Sequence, residues 1–471
     1  MALTRRQFLK RSSWLTAGSF VASGWQGNPW LRRALADALG DKFFVVIDLG
    51  GGNDGLNTVV PYDNGTTGNF RALYEQYRSA APSGGLRIAQ ADLAATMIGA
   101  DTSAGTPLAL HPALSGLKSL WDLNKVAIIQ GCGYPEANLS HALSEQKWLT
   151  GDPLGTGLST GWVGRYLASH YSAAQIPAFS TQDQVPGEFI QSVTGVLATP
   201  LLANFALPTD SIFPDDQAAK LAAYTALYAN AHASSLAIMR HAGTVGGAML
   251  NATSVFPPLA AAYTSARSSW SSMYDSAGTA TAQSLREVAK TIYGVVNGMA
   301  DARFFEIVSG GYDTHADQGG AESFGQHSTL LAELGNALQI FYADCADMGV
   351  ADKLCIVCWS EFGRRLLQNE NGTDHGTQAP MFVIGGNVLG GLYGNHPNID
   401  PSAVDQTVSN TVYSQAAADP HRSTDFRDVY GTLLKHWLGL SDAETLALLP
   451  VDSGNPALYW TSPDIDLPFL V

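Results

Sequence analysis

The sequence is poor in charge and in cysteine. Only 14% of its 471 residues are charged, against 46% hydrophobic residues, so the chain has the composition of a globular protein and not of a disordered one. Four cysteines are too few for a disulfide-stabilised scaffold of this length. The apolar segment near the N-terminus, residues 13–25, is too short and too rich in Gly and Ser for a permanent membrane span.

Basic residues are scarce as well. The chain has 26 Lys and Arg residues against 41 Asp and Glu residues, which gives a formal net charge of -15. Nucleic-acid binding depends on Lys and Arg that neutralise phosphates, so we expect no nucleic-acid partner. An acidic surface is compatible with cation binding.

The N-terminus has the features of an export signal. Arg5 and Arg6 precede a weakly apolar segment, and Ala34-Leu35-Ala36 is a small-x-small cleavage site. We therefore predict a twin-arginine signal over residues 1–36, an interaction with the twin-arginine translocase, and a periplasmic or secreted protein. Its removal takes away six basic residues and lowers the formal charge to -21. The alternative is a basic N-terminal helix of the folded protein.

The pattern of apolar runs predicts one α/β domain over residues 37–471. We expect a mostly parallel central sheet with helices on both faces. Residues 173–300, rich in Ala and Ser, predict a mainly helical insertion or cap with a break at Pro257-Pro258. The main predicted strands are Lys42 to Leu49, Lys125 to Gln130, Ala302 to Ser309 and Lys353 to Trp359.

The pair Cys355-x-x-Cys358 lies within the last of these predicted strands. Residues three apart on a strand point to opposite faces, which favours core packing. A redox or metal-binding role is the alternative.

Polar residues follow the predicted strands where each strand ends. Gly50 to Asn57 follows the first strand, and its Asp54 is a hard oxygen donor suited to a cation. The alternative, a dinucleotide loop, is disfavoured because the spacing is not G-x-G-x-x-G and no helix follows directly.

Ser140 opens a predicted helix after the second strand, and His141 is its neighbour. Ser140 is either an N-cap or a hydroxyl presented at a helix N-terminus, where an oxyanion is stabilised. His141 is a ligand, a proton carrier or a structural histidine. Asp425 is expected to cap the helix that follows it.

Further candidates lie in the second half of the chain. Asp313 and His315 follow a glycine pair at a strand end, as in a metal or acid-base site, with a solvated turn as the alternative. Glu361 and Arg364 come next, and His375 lies in the Gly-rich loop beyond. Since the carboxyl ends of parallel strands share one edge, we expect these side chains to converge as a divalent-metal site.

The ordered set of motifs resembles domain of unknown function family 1501, which is grouped with the alkaline phosphatase and sulfatase-like superfamily. The resemblance covers nearly the whole mature chain. It is carried by the export signal, Gly51-Gly-Asn-Asp54-Gly-Leu-Asn57, Leu139-Ser140-His141, Asp313-Thr-His315, Ser360-Glu361-Phe-Gly-Arg-Arg365, Gly372-Thr-Asp-His375-Gly and Thr424-Asp-Phe-Arg427.

The resemblance implies an alkaline phosphatase-like fold with Ser140 as nucleophile, with His141 as a compensating ligand. The family position of an Asp-His pair is taken by Glu361 and Phe362, which removes one nitrogen ligand. An oxygen-rich site would prefer Mg²⁺, Ca²⁺ or Mn²⁺ over Zn²⁺, as one ion or two. Arg364 or its neighbour would bind the anionic group of the substrate. The implied metal ligands are Asp54, Ser140, Asp313, His315, Glu361 and His375.

These expectations describe an exported hydrolase of phosphate or sulfate esters, acting on a small-molecule or glycan substrate. One alternative is a non-catalytic scaffold or glycan-binding protein with a degenerate metal site. The other is a hydrolase that uses the same metal edge on polysaccharide.

Overall fold

The computed structural model describes residues 40–80, 85–155, 157–171, 175–191, 195–207, 212–320, 325–400, 419–420, 422–450 and 466–470. The predicted export signal, residues 1–36, lies outside these ranges. In the described part, no helix is both long enough and apolar enough to cross a bilayer.

The fold is α/β, with a mixed, mostly parallel central sheet and many helices. The strands are β1 (Phe43–Asp48), β2 (Val59–Pro61), β3 (Met97–Ala100), β4 (Pro107–Leu110), β5 (Val126–Gly133), β6 (Ala178–Ser180), β7 (Val196–Ala198), β8 (Phe304–Val308), β9 (Leu354–Trp359), β10 (Gly363–Gln368), β11 (Thr373–Gly376), β12 (Gln378–Gly385), β13 (Gly391–Tyr393) and β14 (Thr424–Asp425).

Helices separate most of these strands. They are α1 (Gly55–Thr58), α2 (Phe70–Tyr77), α3 (Gln90–Leu93), α4 (Ser115–Asp122), α5 (His141–Thr150), α6 (Trp162–His170), α7 (Gln217–His232), α8 (Ala237–Ala266), α9 (Ser268–Ala277), α10 (Ala280–Val296), α11 (Gln326–Asp347), α12 (Phe426–Thr432) and α13 (Asp442–Leu448).

The chain forms two compact units. The larger unit comprises residues 44–158, 273–285 and 308–471. Its strands run in the order β13-β5-β12-β9-β1, with β14 also paired to β5. Strand β12 is antiparallel to both of its neighbours, whereas β13 and β14 are parallel to β5. The main strands predicted from the sequence are therefore confirmed. The sheet is mixed because β12 runs antiparallel to its neighbours.

The core of the larger unit fixes the start of α5. Strands β1, β5, β9 and β12 are buried along their whole length, as their continuous apolar runs predict. Trp148 of α5 stacks on Trp359 at the end of β9 and on Phe426, with ring centroids 5.2 and 4.3 Å apart. This packing holds the helix against the carboxyl end of β9.

The segment after β9 is a hairpin. The sequence predicted a Gly-rich loop up to His375, and this prediction is wrong, because β10 and β11 pair antiparallel with Arg364 opposite His375. Gly376 permits the pairing, since a side chain there would meet the backbone of Arg364 at 2.4 Å. The hairpin thus presents His375 at a fixed register beside a buried arginine.

The smaller unit comprises the described part of residues 1–43 together with residues 159–272 and 286–307. It contains the parallel strands β6, β7 and β8 and the long helices α7 and α8. The predicted break at Pro257-Pro258 is wrong, because both prolines lie inside α8. Buried residues on both sides of them, including Phe256 and Leu259, hold the helix in place despite the two missing N–H donors.

Candidate metal centre

Three side chains of the larger unit form a group able to hold a metal ion. His141, Asp313 and His375 each offer one ligand atom, and these atoms lie within 4.8 Å of one another. Nε2 of His141 is 3.5 Å from Oδ2 of Asp313, and Nε2 of His375 is 3.0 Å from Oδ1. His315 adjoins the group, with its Nε2 3.2 Å from Asp313 Oδ1 and 3.0 Å from His375 Nε2.

The second ring nitrogen of each histidine, Nδ1, faces an oxygen that only accepts hydrogen bonds. Each Nδ1 must therefore carry the proton in the neutral ring, which leaves a lone pair on each Nε2. Histidines that bind metals commonly have this arrangement, with the outer nitrogen donating to a carboxylate or carbonyl. The contacts are His141 to Glu361 Oε1 at 2.8 Å, His315 to Asp374 Oδ1 at 3.2 Å and His375 to the Leu139 carbonyl at 2.8 Å.

The arrangement fits a cation. Nε2 of His315 and Nε2 of His375 are 3.0 Å apart, and two lone pairs at that distance repel unless a positive charge lies near them. Burial lowers the pKa of His375, against the opposing effects of Leu139 and Asp313, which keeps its ring neutral and available as a ligand.

The donor set is rich in nitrogen. Imidazole nitrogens with one carboxylate suit Zn²⁺, Fe²⁺ or Mn²⁺, whereas Mg²⁺ and Ca²⁺ take oxygen ligands. The sequence favoured Mg²⁺, Ca²⁺ or Mn²⁺ because Phe362 replaces a nitrogen ligand, and the predicted ligands included the carboxylates of Asp54 and Glu361. In the structure the oxygens of both carboxylates have protein partners.

Asp313 is held in its ionised form. Partial burial raises its pKa, but Arg364, through its hydrogen bond and its charge, outweighs that effect with a further contribution from the neighbouring imidazoles and lowers the pKa to about 2. Arg364 Nη2 is 2.6 Å from Asp313 Oδ1. The carboxylate is therefore charged throughout the physiological pH range.

Arg364 is fully buried, and its donors are occupied by the protein. Nε donates to the Gly52 carbonyl at 2.8 Å and Nη1 to the Thr373 carbonyl at 2.8 Å. Nη2 donates to the Tyr312 carbonyl at 3.0 Å and to the Gly51 carbonyl as well as to Asp313. The guanidinium, predicted to bind the substrate's anionic group, thus faces the protein interior and positions Asp313.

Glu361 is buried beside the group. Its carboxylate accepts from the Gly51 amide at 2.9 Å and from the Gly52 amide at 3.2 Å, in addition to its contact with His141. The structure therefore brings Glu361 to the outer side of His141, away from the nitrogen that faces Asp313.

Asp54 lies in a separate buried cluster. Its Oδ1 pairs with Arg78 at 2.9 Å, and both side chains are inaccessible to solvent. Its Oδ2 accepts from Gln318 at 2.5 Å. Both oxygens are thus used inside the protein, and the structure does not bring Asp54 into the group of ligands.

Ser140 is exposed at the N-terminus of α5. It occupies the N-cap position, but its hydroxyl makes no capping hydrogen bond. Its neighbours on both sides contact the centre, Leu139 through its carbonyl and His141 through its ring. Ser140 therefore lies between two residues that contact the centre.

Phe362 forms an apolar wall of the centre. Its ring is buried and lies 4.9 Å from the ring of His141 and 4.4 Å from that of His375, measured between centroids. Phe362, which takes the family position of a histidine ligand, thus restricts the motion of two other ligands.

Several groups that hold the ligands of the centre in place were not identified from the sequence. Asp374 was recognised only as part of a motif, although its position beside His375 made it visible. The Leu139 carbonyl and the Gly51 and Gly52 amides carry no sequence signal, because every residue except proline has both groups.

A family model described as a protein of unknown function, DUF1501, matches residues 208–448, slightly more than half of the chain. The matched span contains Asp313, His315, Glu361, Arg364 and His375. No curated protein matches the chain.

Proposed function

We propose that this chain, which belongs to the DUF1501 family, is an exported metal-dependent hydrolase of phosphate or sulfate esters. The observation that carries the proposal is the convergence of the Nε2 atoms of His141, His315 and His375 on Asp313. A divalent ion bound there supplies positive charge for an anionic ester and for the charge that develops as the ester breaks.

The proposal includes a fold of the alkaline phosphatase and sulfatase-like type. It also includes export by the twin-arginine translocase and a periplasmic or secreted location. The Arg5-Arg6 motif and the Ala34-Leu35-Ala36 site support export and the location, and the ordered set of motifs supports the fold.

Ser140 is the proposed nucleophile. Its hydroxyl is exposed and makes no capping hydrogen bond, and the N-terminus of the ten-residue helix α5 favours negative charge at this point. As the Ser140 oxygen bonds to phosphorus or sulfur, its proton would pass to Nε2 of His315, which Asp374 orients, and the bond to the alcohol oxygen of the ester would break. The departing alkoxide would take a proton from solvent, which reaches the half-exposed side chains of Asp313 and His315. Water would then hydrolyse the seryl ester and restore the serine.

For the ion we propose Mn²⁺ or Zn²⁺. Mn²⁺ agrees both with the preference derived from the sequence and with the nitrogen ligands of the centre, and Zn²⁺ agrees with the nitrogen ligands. A single ion is supported by the one group of three ligands found in the described residues.

Metal analysis of the purified full-length chain tests the proposal. We expect a divalent ion in stoichiometric amount, hydrolysis of a phosphate or sulfate ester that stops when a chelator removes the ion, and recovery when the ion returns. Ser140→Ala should abolish turnover and keep the ion. Ser119→Ala, an exposed serine on α4, is the matched control and should behave like the wild type. A chain that binds no divalent ion would show the proposal to be wrong.

The alternative is a non-catalytic scaffold or glycan-binding protein. The burial of Arg364 favours it, because the arginine predicted to recognise an anionic group does not face solvent. Stoichiometric metal without turnover of any phosphate or sulfate ester in a broad screen would support this alternative over the hydrolase.

A further inference from the structure

The loop that follows β1 binds the carboxylate of Glu361. Gly51 N donates to Oε1 at 2.9 Å and Gly52 N donates to Oε2 at 3.2 Å. Both glycines have positive φ, of 123° and 88°, and successive amides in such a turn form a concave site for anions. Here the anion is a side chain of the same protein, with only 5% of its surface exposed.

The same carboxylate meets the outer nitrogen of His141. Oε1 lies 2.8 Å from His141 Nδ1, and the other ring nitrogen, Nε2, points toward Asp313 at 3.5 Å. An ionised carboxylate has no proton to give, so Nδ1 must hold the ring proton. The lone pair is then on Nε2, the atom that faces the candidate metal position.

We propose that Glu361 is a positioning residue that, through the Gly51 and Gly52 amides, fixes the tautomer of His141. The consequence for metal binding rests on the proposed function, whereas the tautomer does not. The amides orient the carboxylate, the carboxylate orients the imidazole, and Nε2 remains free of a proton.

Replacement of Glu361 by glutamine separates this role from simple packing. The glutamine side chain has nearly the same shape, but it has one oxygen and one NH₂ group. The amides of Gly51 and Gly52 both lie 3.2 Å from the Oε2 position, so the oxygen of the glutamine is favoured there, where it can accept from both. The NH₂ group then faces His141, whose Nδ1 must accept a hydrogen bond, so the ring proton moves to Nε2.

Asp374 offers a matched control. It contacts Nδ1 of His315 at 3.2 Å, but its side chain is 45% exposed, and no backbone amide in the described part of the chain donates to it. In Asp374→Asn the amide group can turn its oxygen toward His315. We therefore expect the tautomer of His315 to stay unchanged in this variant.

The test is nitrogen NMR of the full-length, metal-free chain labelled with ¹⁵N-histidine, at a pH of about 8, where ordinary histidines are neutral. The His141 signals are assigned by their loss in His141→Gln. We expect a proton on Nδ1 in the wild type, a proton on Nε2 in Glu361→Gln, and no tautomer change at His315 in Asp374→Asn. Metal affinity in Glu361→Gln should fall about 10- to 100-fold.

Two results would overturn the inference. One is a wild-type His141 with its proton on Nε2, a measurement that does not depend on the folding of any variant. The other is a folded Glu361→Gln chain that keeps the Nδ1 proton. If the tautomers follow the expectation and the chain binds no divalent ion, the proposed function fails and the inference stands.

Discussion

At the scale of single residues, the guanidinium of Arg364 joins three parts of the metal centre. It donates to Asp313, to the carbonyls of the Gly51-Gly52 turn and to the Thr373 carbonyl on the hairpin strand next to His375. One buried cation thus determines the position of the ligand Asp313 and of the turn that holds Glu361. An apolar side chain at position 364 could fill the volume of the arginine, but it could make none of these hydrogen bonds.

Arg364→Met should therefore weaken both the fold and the metal site. The substitution leaves several buried carbonyls without donors and Asp313 without its cation, which we expect to cost on the order of 3 kcal/mol of unfolding free energy. The pKa of Asp313 should rise toward its ordinary value, because Arg364 is a main cause of the lowering. Urea-induced unfolding and calorimetric metal titration measure the two effects.

Arg71→Met is the control for Arg364. Arg71 is also buried, donates to the carbonyls of Pro61 and Ile88, and pairs with Glu75 away from the centre. This variant should lose stability and keep its metal affinity. Equal metal affinity in the wild type and in a folded Arg364→Met would contradict the positioning role.

At the scale of elements, the turn after β1 requires glycine at position 51. Gly51 has a φ of 123°, and a Cβ atom there would lie 2.4 Å from the Asp313 amide nitrogen. Gly51→Ala should therefore cost backbone strain and also displace Asp313, with a loss of unfolding free energy above about 3 kcal/mol and loss of metal binding.

Gly99→Ala separates the cost of backbone strain from the cost of displacing Asp313. Gly99 lies on β3, which pairs with β4, and has a similar φ of 108°. A Cβ atom at this position would have no neighbouring atom within 4 Å, so the alanine variant should lose only about 1 to 3 kcal/mol from strain. Unfolding of both variants in urea gives the comparison. Equal losses would show that contact between the turn and Asp313 is unimportant.

Elements with strong local patterns could be predicted from the sequence. The continuous apolar runs gave β1 and β9, and the helical pattern after residue 324 gave α11, within one or two residues of the observed bounds. Asp425 caps α12 as expected, accepting from the Arg427 amide at 3.0 Å. All four cysteines are buried and none forms a disulfide, which agrees with core packing of Cys355 and Cys358.

Contacts between distant segments could not be predicted in the same way. The antiparallel β12 and the register of Arg364 with His375 depend on hydrogen bonds across the sheet, and no local pattern specifies them. For the same reason the sequence identified His141 and Asp313 as candidates but placed Asp54 among the ligands. Its partner Arg78 lies 24 residues away on a different element.

At the scale of the whole molecule, two buried histidines link folding to pH. His111 and His327 are inaccessible to solvent, and burial lowers their pKa values to about 4 and about 3. His111 Nε2 donates to the Gly320 carbonyl at 3.0 Å while its Nδ1 accepts from the Ala113 amide at 3.1 Å. Only a neutral ring can donate from one nitrogen and accept at the other, so protonation of His111 in the folded chain would break one of the two hydrogen bonds.

The stability of the chain should consequently fall as the pH drops below about 6.5, the ordinary histidine pKa. Above that pH both rings are neutral in the folded and the unfolded chain. Below it the unfolded chain binds a proton at each of these two histidines that the folded chain does not bind. Each proton lowers the unfolding free energy by up to about 1.4 kcal/mol per pH unit, down to a pH of about 4. The carboxylate of Asp313 contributes little in this window, because its unfolded pKa is near 3.9 and its folded pKa is about 2.

Urea-induced unfolding between pH 7 and pH 4.5, on the order of half a unit apart, measures the slope. His111→Gln removes the contribution of His111, so the slope should fall by up to about 1.4 kcal/mol per pH unit even if the variant is less stable at every pH. His327, His375 and His396 keep contributing, because burial lowers the pKa of each of them. Ser119→Ala, at an exposed position on α4 without an ionisable side chain, is the control and should leave the slope unchanged. A slope that is the same in His111→Gln and in the wild type would mean that the acid sensitivity of the fold arises from other groups.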